Sequence, residues 1–253
     1  MHGALLQKIQ TRGCIRHSLE VIVIIPAIIP ARSGSVGVKN KNMRELKGKP
    51  LLHWMVEAAV NAKRIDTVFV SSDSTAYIES AMALNEDKVR GLVRPPALAE
   101  DVPTEDVIID ALKEVEDLAY RVTDPVVTLQ CTTPLATSDD IDNAVEIYQN
   151  SRANSVISVT PSRDYPHWLF QIDEEKELIP FMDIQKLNGL LGVRQNLPIF
   201  YRPNGAIYIT SAKELKKQKT LFARPIRPYI MPLSRSWEVD EEDDLKILEV
   251  FAA

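Results

Sequence analysis

Apolar runs of strand length alternate with amphipathic stretches along most of this chain, at the spacing of βαβ units in a mostly parallel sheet. The pattern predicts strands over 27–31, 66–71, 88–94, 125–129 and 155–160, with helices between them over 50–62, 75–84, 105–120 and 138–149. The third helix is the clearest: Val107, Ile108, Ala111, Leu112, Val115 and Leu118 recur at helical spacing. Ser138, Asp139 and Asp140 supply a cap and first-turn acids to the fourth. A proline inside a central strand removes a ladder hydrogen bond, so the first strand is expected to begin after Pro26. The rhythm lapses over 161–203, where aromatic, proline and charged residues mix without a period. That segment is expected to leave the sheet and to serve as a subunit contact or a substrate lid. Strands resume over 204–210 and 229–232, and a helix over 241–251 closes the chain. One domain over 21–253 is expected, after a disordered leader over 1–20.

Composition narrows the class. The chain has 253 residues, 45% of them hydrophobic and 26% charged, which is ordinary for a globular protein. A net charge of −5 with scattered lysines and arginines gives no support to a nucleic-acid partner. Two cysteines, Cys14 and Cys131, make no disulfide framework and suit a reducing, cytoplasmic setting. The apolar run over 21–31 is interrupted by Pro26 and Pro30 and is too short to span a bilayer, so no membrane partner is expected.

The stretch 29–42, Ile-Pro-Ala-Arg-Ser-Gly-Ser-Val-Gly-Val-Lys-Asn-Lys-Asn, carries the strongest chemical signal. Gly34 and Gly37 lack the Cβ that keeps a backbone away from a polyphosphate, and Ser33 and Ser35 add short donors. Arg32, Lys39 and Lys41 supply cations. A solvated basic turn would look similar, but strand, glycine loop and helix in that order mark where open α/β sheets bind ligands. The loop lacks the Gly-x-Gly-x-x-Gly order, which argues against a dinucleotide enzyme. His53, on the first helix, is read as a packed or surface residue.

Other segments complete a pattern: Gly48-Lys49-Pro50-Leu51, Val70-Ser71-Ser72-Asp73, Arg94-Pro95, Gln130 through Leu135, Arg194-Gln195, Arg202-Pro203-Asn204-Gly205-Ala206-Ile207-Tyr208-Ile209 and Glu238-Val239-Asp240. In this order they resemble the acylneuraminate cytidylyltransferases, also called CMP-sialic acid synthetases, from about Ala27 to the C-terminus. The resemblance implies an α/β fold, a mostly parallel, Rossmann-like three-layer α/β/α sheet with an inserted dimerisation excursion. It implies CTP and a nonulosonic acid as substrates, the sugar's anomeric hydroxyl attacking the α-phosphorus to give a CMP-sugar and pyrophosphate, with Mg2+; the aromatic excursion over 161–203 points to a homodimer. It places Lys41 and Arg32 in catalysis. Arg32, Ser33, Gly34, Ser35, Gly37, Lys41, Asn42 and Arg94 would bind the nucleotide. Gln130, Arg194, Asn204, Tyr208 and Phe222 would bind the sugar, and Asp240 and Glu238 the metal.

Three positions depart from the family pattern. Val36 stands where a lysine is usual, Ala136 where an arginine often follows Pro134-Leu135, and Glu238-Val239-Asp240 where Asp-Ile-Asp is usual. Lys39 stands two positions beyond the missing lysine as a candidate replacement. Two alternatives stay open: an enzyme for the eight-carbon acid of lipopolysaccharide, and a CTP-binding homologue without catalysis. The sequence leaves open which nonulosonic acid is used.

Overall fold

The computed structural model describes residues 22–34, 38–182 and 197–252. Its centre is a seven-stranded sheet of β1 (Pro26–Pro30), β2 (Thr67–Ser72), β3 (Val89–Val93), β4 (Val126–Leu129), β5 (Ser155–Pro161), β6 (Tyr201–Thr210) and β7 (Ile226–Ile230). In space they lie in the order β7-β5-β6-β4-β1-β2-β3. Only β6 runs against its neighbours, β4 and β5. The helices are α1 (Leu51–Asn61), α2 (Thr75–Met82), α3 (Thr104–Asp117), α4 (Ser138–Gln149), α5 (Ala212–Gln218) and α6 (Glu242–Phe251).

The period of two along each buried strand builds the layers. Ala27 and Ile29, Val68 and Val70, and Val127 and Leu129 pack with α1, α4 and α6 on one face. The intervening Ile28, Phe69 and Val126 pack with α3 and α5 on the other. Both faces are covered, which is why these strands read as unbroken apolar runs. The expected three-layer, mostly parallel architecture is the observed one.

Several details differ from the expectation. Pro26 does belong to β1, but as its first residue, where a missing N–H costs little. A short strand, Ile22–Ile24, pairs in parallel with Tyr120–Val122. The third helix stops at Asp117 because Ala119 adopts a left-handed φ of 67° and Tyr120 turns back to stack edge-on against Phe69. Helix α5 has no apolar face to detect, since only Leu215 of it is buried. Lys47 and Gly48, at φ 52° and 74°, form the tight turn of a small hairpin leading into α1. Within 161–203, Phe170–Ile172 pairs antiparallel with Leu178–Pro180, away from the main sheet. Residues 1–21, and with them the expected leader and Cys14, lie outside the described residues.

An ion pair to a buried carboxylate ties the C-terminal segment to α4. The Asp140 carboxylate, at the first turn of α4, accepts from Arg235 Nε and Nη2 at 2.9 and 2.8 Å, from the Tyr229 hydroxyl at 2.7 Å and from Thr137. Burial pushes this carboxyl up, but the Arg235, Thr137 and Tyr229 donors outweigh it and hold it below the usual carboxylate range. A carboxyl depressed in the folded state contributes stability that is complete above its unfolded value, about 3.9, and is lost as pH falls through its folded value. Asp140→Asn is therefore expected to lower the melting temperature at pH 7 and to flatten its acid limb. Parallel melting curves for both proteins between pH 7 and pH 3 would contradict this.

Candidate active site

The strand order reverses between β1 and β4, leaving a crevice at the carboxyl ends of the parallel strands. A cavity of about 260 Å³ opens there, lined by Arg32, Lys41, Asn42, Arg94, Gln130 and Thr132 among others. Four of these come from strand ends: Arg32 follows β1, Arg94 follows β3, and Gln130 and Thr132 follow β4. Lys41 and Asn42 sit in the one-turn helix Lys41–Met43 that returns from the loop. Four of the nucleotide residues named from sequence, Arg32, Lys41, Asn42 and Arg94, thus meet there, whereas Ser33 and Gly34 do not line the cavity.

Their roles differ in kind. Arg32 Nη2 lies 3.1 Å from Asp101, whose side chain is 84% exposed. Exposed pairs of this sort hold together weakly, so the guanidinium is available to a ligand with more charge. Asn42 is buried, and its amide nitrogen donates to the Arg32 carbonyl at 2.9 Å. Arg94 is also buried and donates to the Ser71 carbonyl at 2.9 Å. Burial lowers the Arg94 pKa, Asp73 opposes that, and Arg32 adds to it. Ser33 is bound by its N–H and its hydroxyl to Asp73. Among the described residues, no atom lies within 4 Å of a Cβ built on exposed Gly34. Lys39 is exposed and does not line the cavity. Ser35, Val36 and Gly37 lie outside the described residues. His53 shares a 2.7 Å hydrogen bond with Ser80, in keeping with a packed residue.

Lys41 links the cavity to the acidic pair. Its Nζ donates to the Val239 carbonyl at 2.9 Å and lies 3.2 Å from Asp240 Oδ1. Val239 is fully buried, so Glu238 and Asp240 flank an inward-pointing side chain. The Val239 N–H donates to the Thr132 carbonyl at 2.7 Å, and the Thr132 hydroxyl donates to Glu238 Oε1 at 3.2 Å. Burial, then the Asp240 charge, push the Glu238 carboxyl above the usual range, against the Thr132 hydrogen bond and the Lys41 charge. Gly205 makes room for it: with φ at 72°, a Cβ there would come within 2.6 Å of Glu238 Oε1. Among the described residues no three metal-ligating side chains cluster. Glu238 and Asp240 offer the carboxylate oxygens a hard cation takes, with water and ligand phosphates left to complete its shell.

Of the sugar-side residues, Gln130 lines the cavity. Tyr208 and Phe222 pack edge to face, with ring centroids 5.9 Å apart. Burial, with Glu238 and Glu105 nearby, pushes the Tyr208 phenol up to about 12, so it is a neutral donor at ordinary pH. Asn204 requires a correction. It is fully buried, with Nδ2 donating to Ser236 at 2.8 Å and Oδ1 accepting from Ser158 at 2.6 Å. Its amide joins β6 to β5 and to the segment before Glu238 instead of facing the cavity. Arg194 lies outside the described residues. Asp73, Asp101 and Thr132 were not singled out from sequence; Asp73 and Thr132 at least fall inside the quoted motifs, whereas nothing local marks Asp101.

The cytidylyltransferase family model matches residues 26–186, more than half of the chain. The chain belongs to the cytidylyltransferase family. It is 34% identical over 220 residues to an N-acylneuraminate cytidylyltransferase of Streptococcus agalactiae serotype V, a match covering 86% of this chain and 50% of the relative. This chain thus spans about half the length of that relative. It is 31% identical to a CMP-N,N'-diacetyllegionaminic acid synthase of Legionella pneumophila, covering 89% of this chain and 94% of the relative. Among solved structures, a CMP:2-keto-3-deoxy-manno-octonic acid synthetase complexed with CTP superposes with a TM-score of 0.64 at 14% identity, covering 91% of this chain and 98% of that one. At that identity the likeness concerns the fold. Among the described residues no helix is long and apolar enough to cross a membrane.

Proposed function

We propose that this cytidylyltransferase joins the CMP moiety of CTP to a nine-carbon 2-keto-3-deoxy sugar acid, as a sialic acid or related nonulosonate synthetase. The observation that carries the reading is Lys41, a cation held at the cavity while it touches the Val239–Asp240 segment. Arg32 and Lys41 would offset the triphosphate charge, which is where preorganised cations contribute most to such a transfer. The α-phosphorus would lie between those cations and the sugar side, with Gln130 and the neutral Tyr208 hydroxyl orienting the acceptor. Magnesium fits the Glu238–Asp240 carboxylate pair. When bound, it would neutralise phosphate charge and favour pyrophosphate as a leaving group.

The test is product identity. Incubation with CTP, magnesium and separate eight- and nine-carbon keto acids is expected to yield, by mass spectrometry, a CMP conjugate of a nine-carbon acid. A conjugate of the eight-carbon acid alone would overturn that choice of substrate class.

We also propose that the chain works as a homodimer through the segment 161–203. Phe170, Ile172, Leu178, Ile179 and Phe181 are all exposed on or beside one small hairpin, with Phe170, Ile172 and Leu178 on the same face of it, and clustered exposed apolar side chains of this kind mark interaction surfaces. Light scattering is expected to give twice the 28.4 kDa chain mass. A monomer at micromolar concentration would contradict it.

A further inference from the structure

The loop that carries Arg32 is fastened at three successive residues, Ala31 and Ser33 to the end of β2 and Arg32 to Asn42. The Ala31 N–H donates to the Ser71 carbonyl at 2.9 Å, and the Ala31 carbonyl accepts from the buried Ser72 hydroxyl at 2.6 Å. The Arg32 carbonyl accepts from Asn42. The Ser33 N–H donates to Asp73 Oδ1 at 2.8 Å, and its hydroxyl donates to Asp73 Oδ2 at 2.6 Å. Both Asp73 oxygens and both Ser33 donors are therefore engaged with each other.

This arrangement bears on charge as well as shape. A carboxylate beside a polyphosphate site would repel its ligand unless something held it elsewhere. Here burial raises the Asp73 carboxyl, but the two Ser33 donors, its own N–H and the Arg94 charge outweigh that and keep it ionised and turned to the loop. Ser33 in turn has its hydroxyl and N–H directed at protein, not at the open cavity.

Resting on the nucleotide reading above, we propose that Asp73 is a positioning residue for nucleotide binding. It holds the backbone at Ser33 so that Arg32 projects into the cavity, and Ser33 is its handle, not a phosphate ligand. Asparagine at 73 keeps an acceptor for the Ser33 N–H and a partner for the hydroxyl while losing the charge. Alanine keeps neither.

The test combines two readouts. CTP titration is expected to show affinity reduced at least tenfold in Asp73→Ala and within about threefold of wild type in Asp73→Asn. Ser33→Ala is expected to weaken CTP binding in the wild-type background and to add nothing in Asp73→Ala, since the two residues act as one unit. Wild-type affinity in Asp73→Ala would overturn the proposal. So would equal losses in the alanine and asparagine variants, because charge and not placement would then be responsible. Amide hydrogen exchange at Ser33 in the nucleotide-free protein gives a second decision: protection in wild type and its loss in Asp73→Ala are expected, and unchanged protection overturns the clamp. Failure of the wild-type chain to bind CTP would instead reject the nucleotide reading, while the exchange result still decides whether Asp73 holds the loop.

Discussion

Lys41→Ala is expected to slow pyrophosphate release at least about a hundredfold while the protein still folds. Removing one preorganised charge from a site of this kind typically costs roughly 10²-fold or more in rate. Lys41 is well placed for that effect, because its side chain is only 15% exposed and reaches the Val239–Asp240 segment, 198 and 199 residues further along the chain. Its loss would remove a cation from the phosphate side and also leave Glu238 and Asp240 without their shared counter-charge. Steady-state kinetics at saturating CTP decide the matter. Turnover within threefold of wild type would take Lys41 out of the chemistry.

Glu238→Gln is expected to do two opposite things. The folded-state pKa of Glu238 is raised above the unfolded value, so its charge at neutral pH opposes folding; this penalty fades as pH falls through the folded value and is gone below the unfolded carboxyl value. The variant should therefore melt higher than wild type at pH 7 without metal, with the difference shrinking toward pH 4. The same substitution removes one of two proposed magnesium ligands, so the magnesium requirement for turnover should rise at least tenfold. A residue that destabilises its own fold in this way is characteristic of a site shaped for a ligand. A lower melting temperature with an unchanged magnesium titration would assign Glu238 a purely structural role.

The sequence disclosed the sheet better than its order. Strands such as Thr67–Ser72 and Val126–Leu129 are buried on both faces, so their apolar runs are legible without partners. Nothing local says that Tyr201–Thr210 inserts antiparallel between Val126–Leu129 and Ser155–Pro161, because that pairing is fixed by contacts across the chain. The site shows the same division. Arg32 and Arg94 were visible as cations at strand ends, and Lys41 as one in the loop after the first strand. Asn204 was misassigned because an amide reads alike whether it faces a ligand or the core, and only burial separates the cases. Asp73 was visible as a residue but not as the partner of Ser33, 40 positions away. Gly205 was quoted within a motif, but its reason, the nearness of the Glu238 carboxylate, exists only in three dimensions.

The central claim is that CTP and a nine-carbon keto acid react in the cavity between β1 and β4. Pyrophosphate release by the purified chain, followed continuously with CTP and magnesium and started by adding the acid, tests it most directly. Release that begins only with a nine-carbon acid and is lost in Lys41→Ala is the predicted result. No release with any acid in the panel, from protein that still binds CTP, would contradict it.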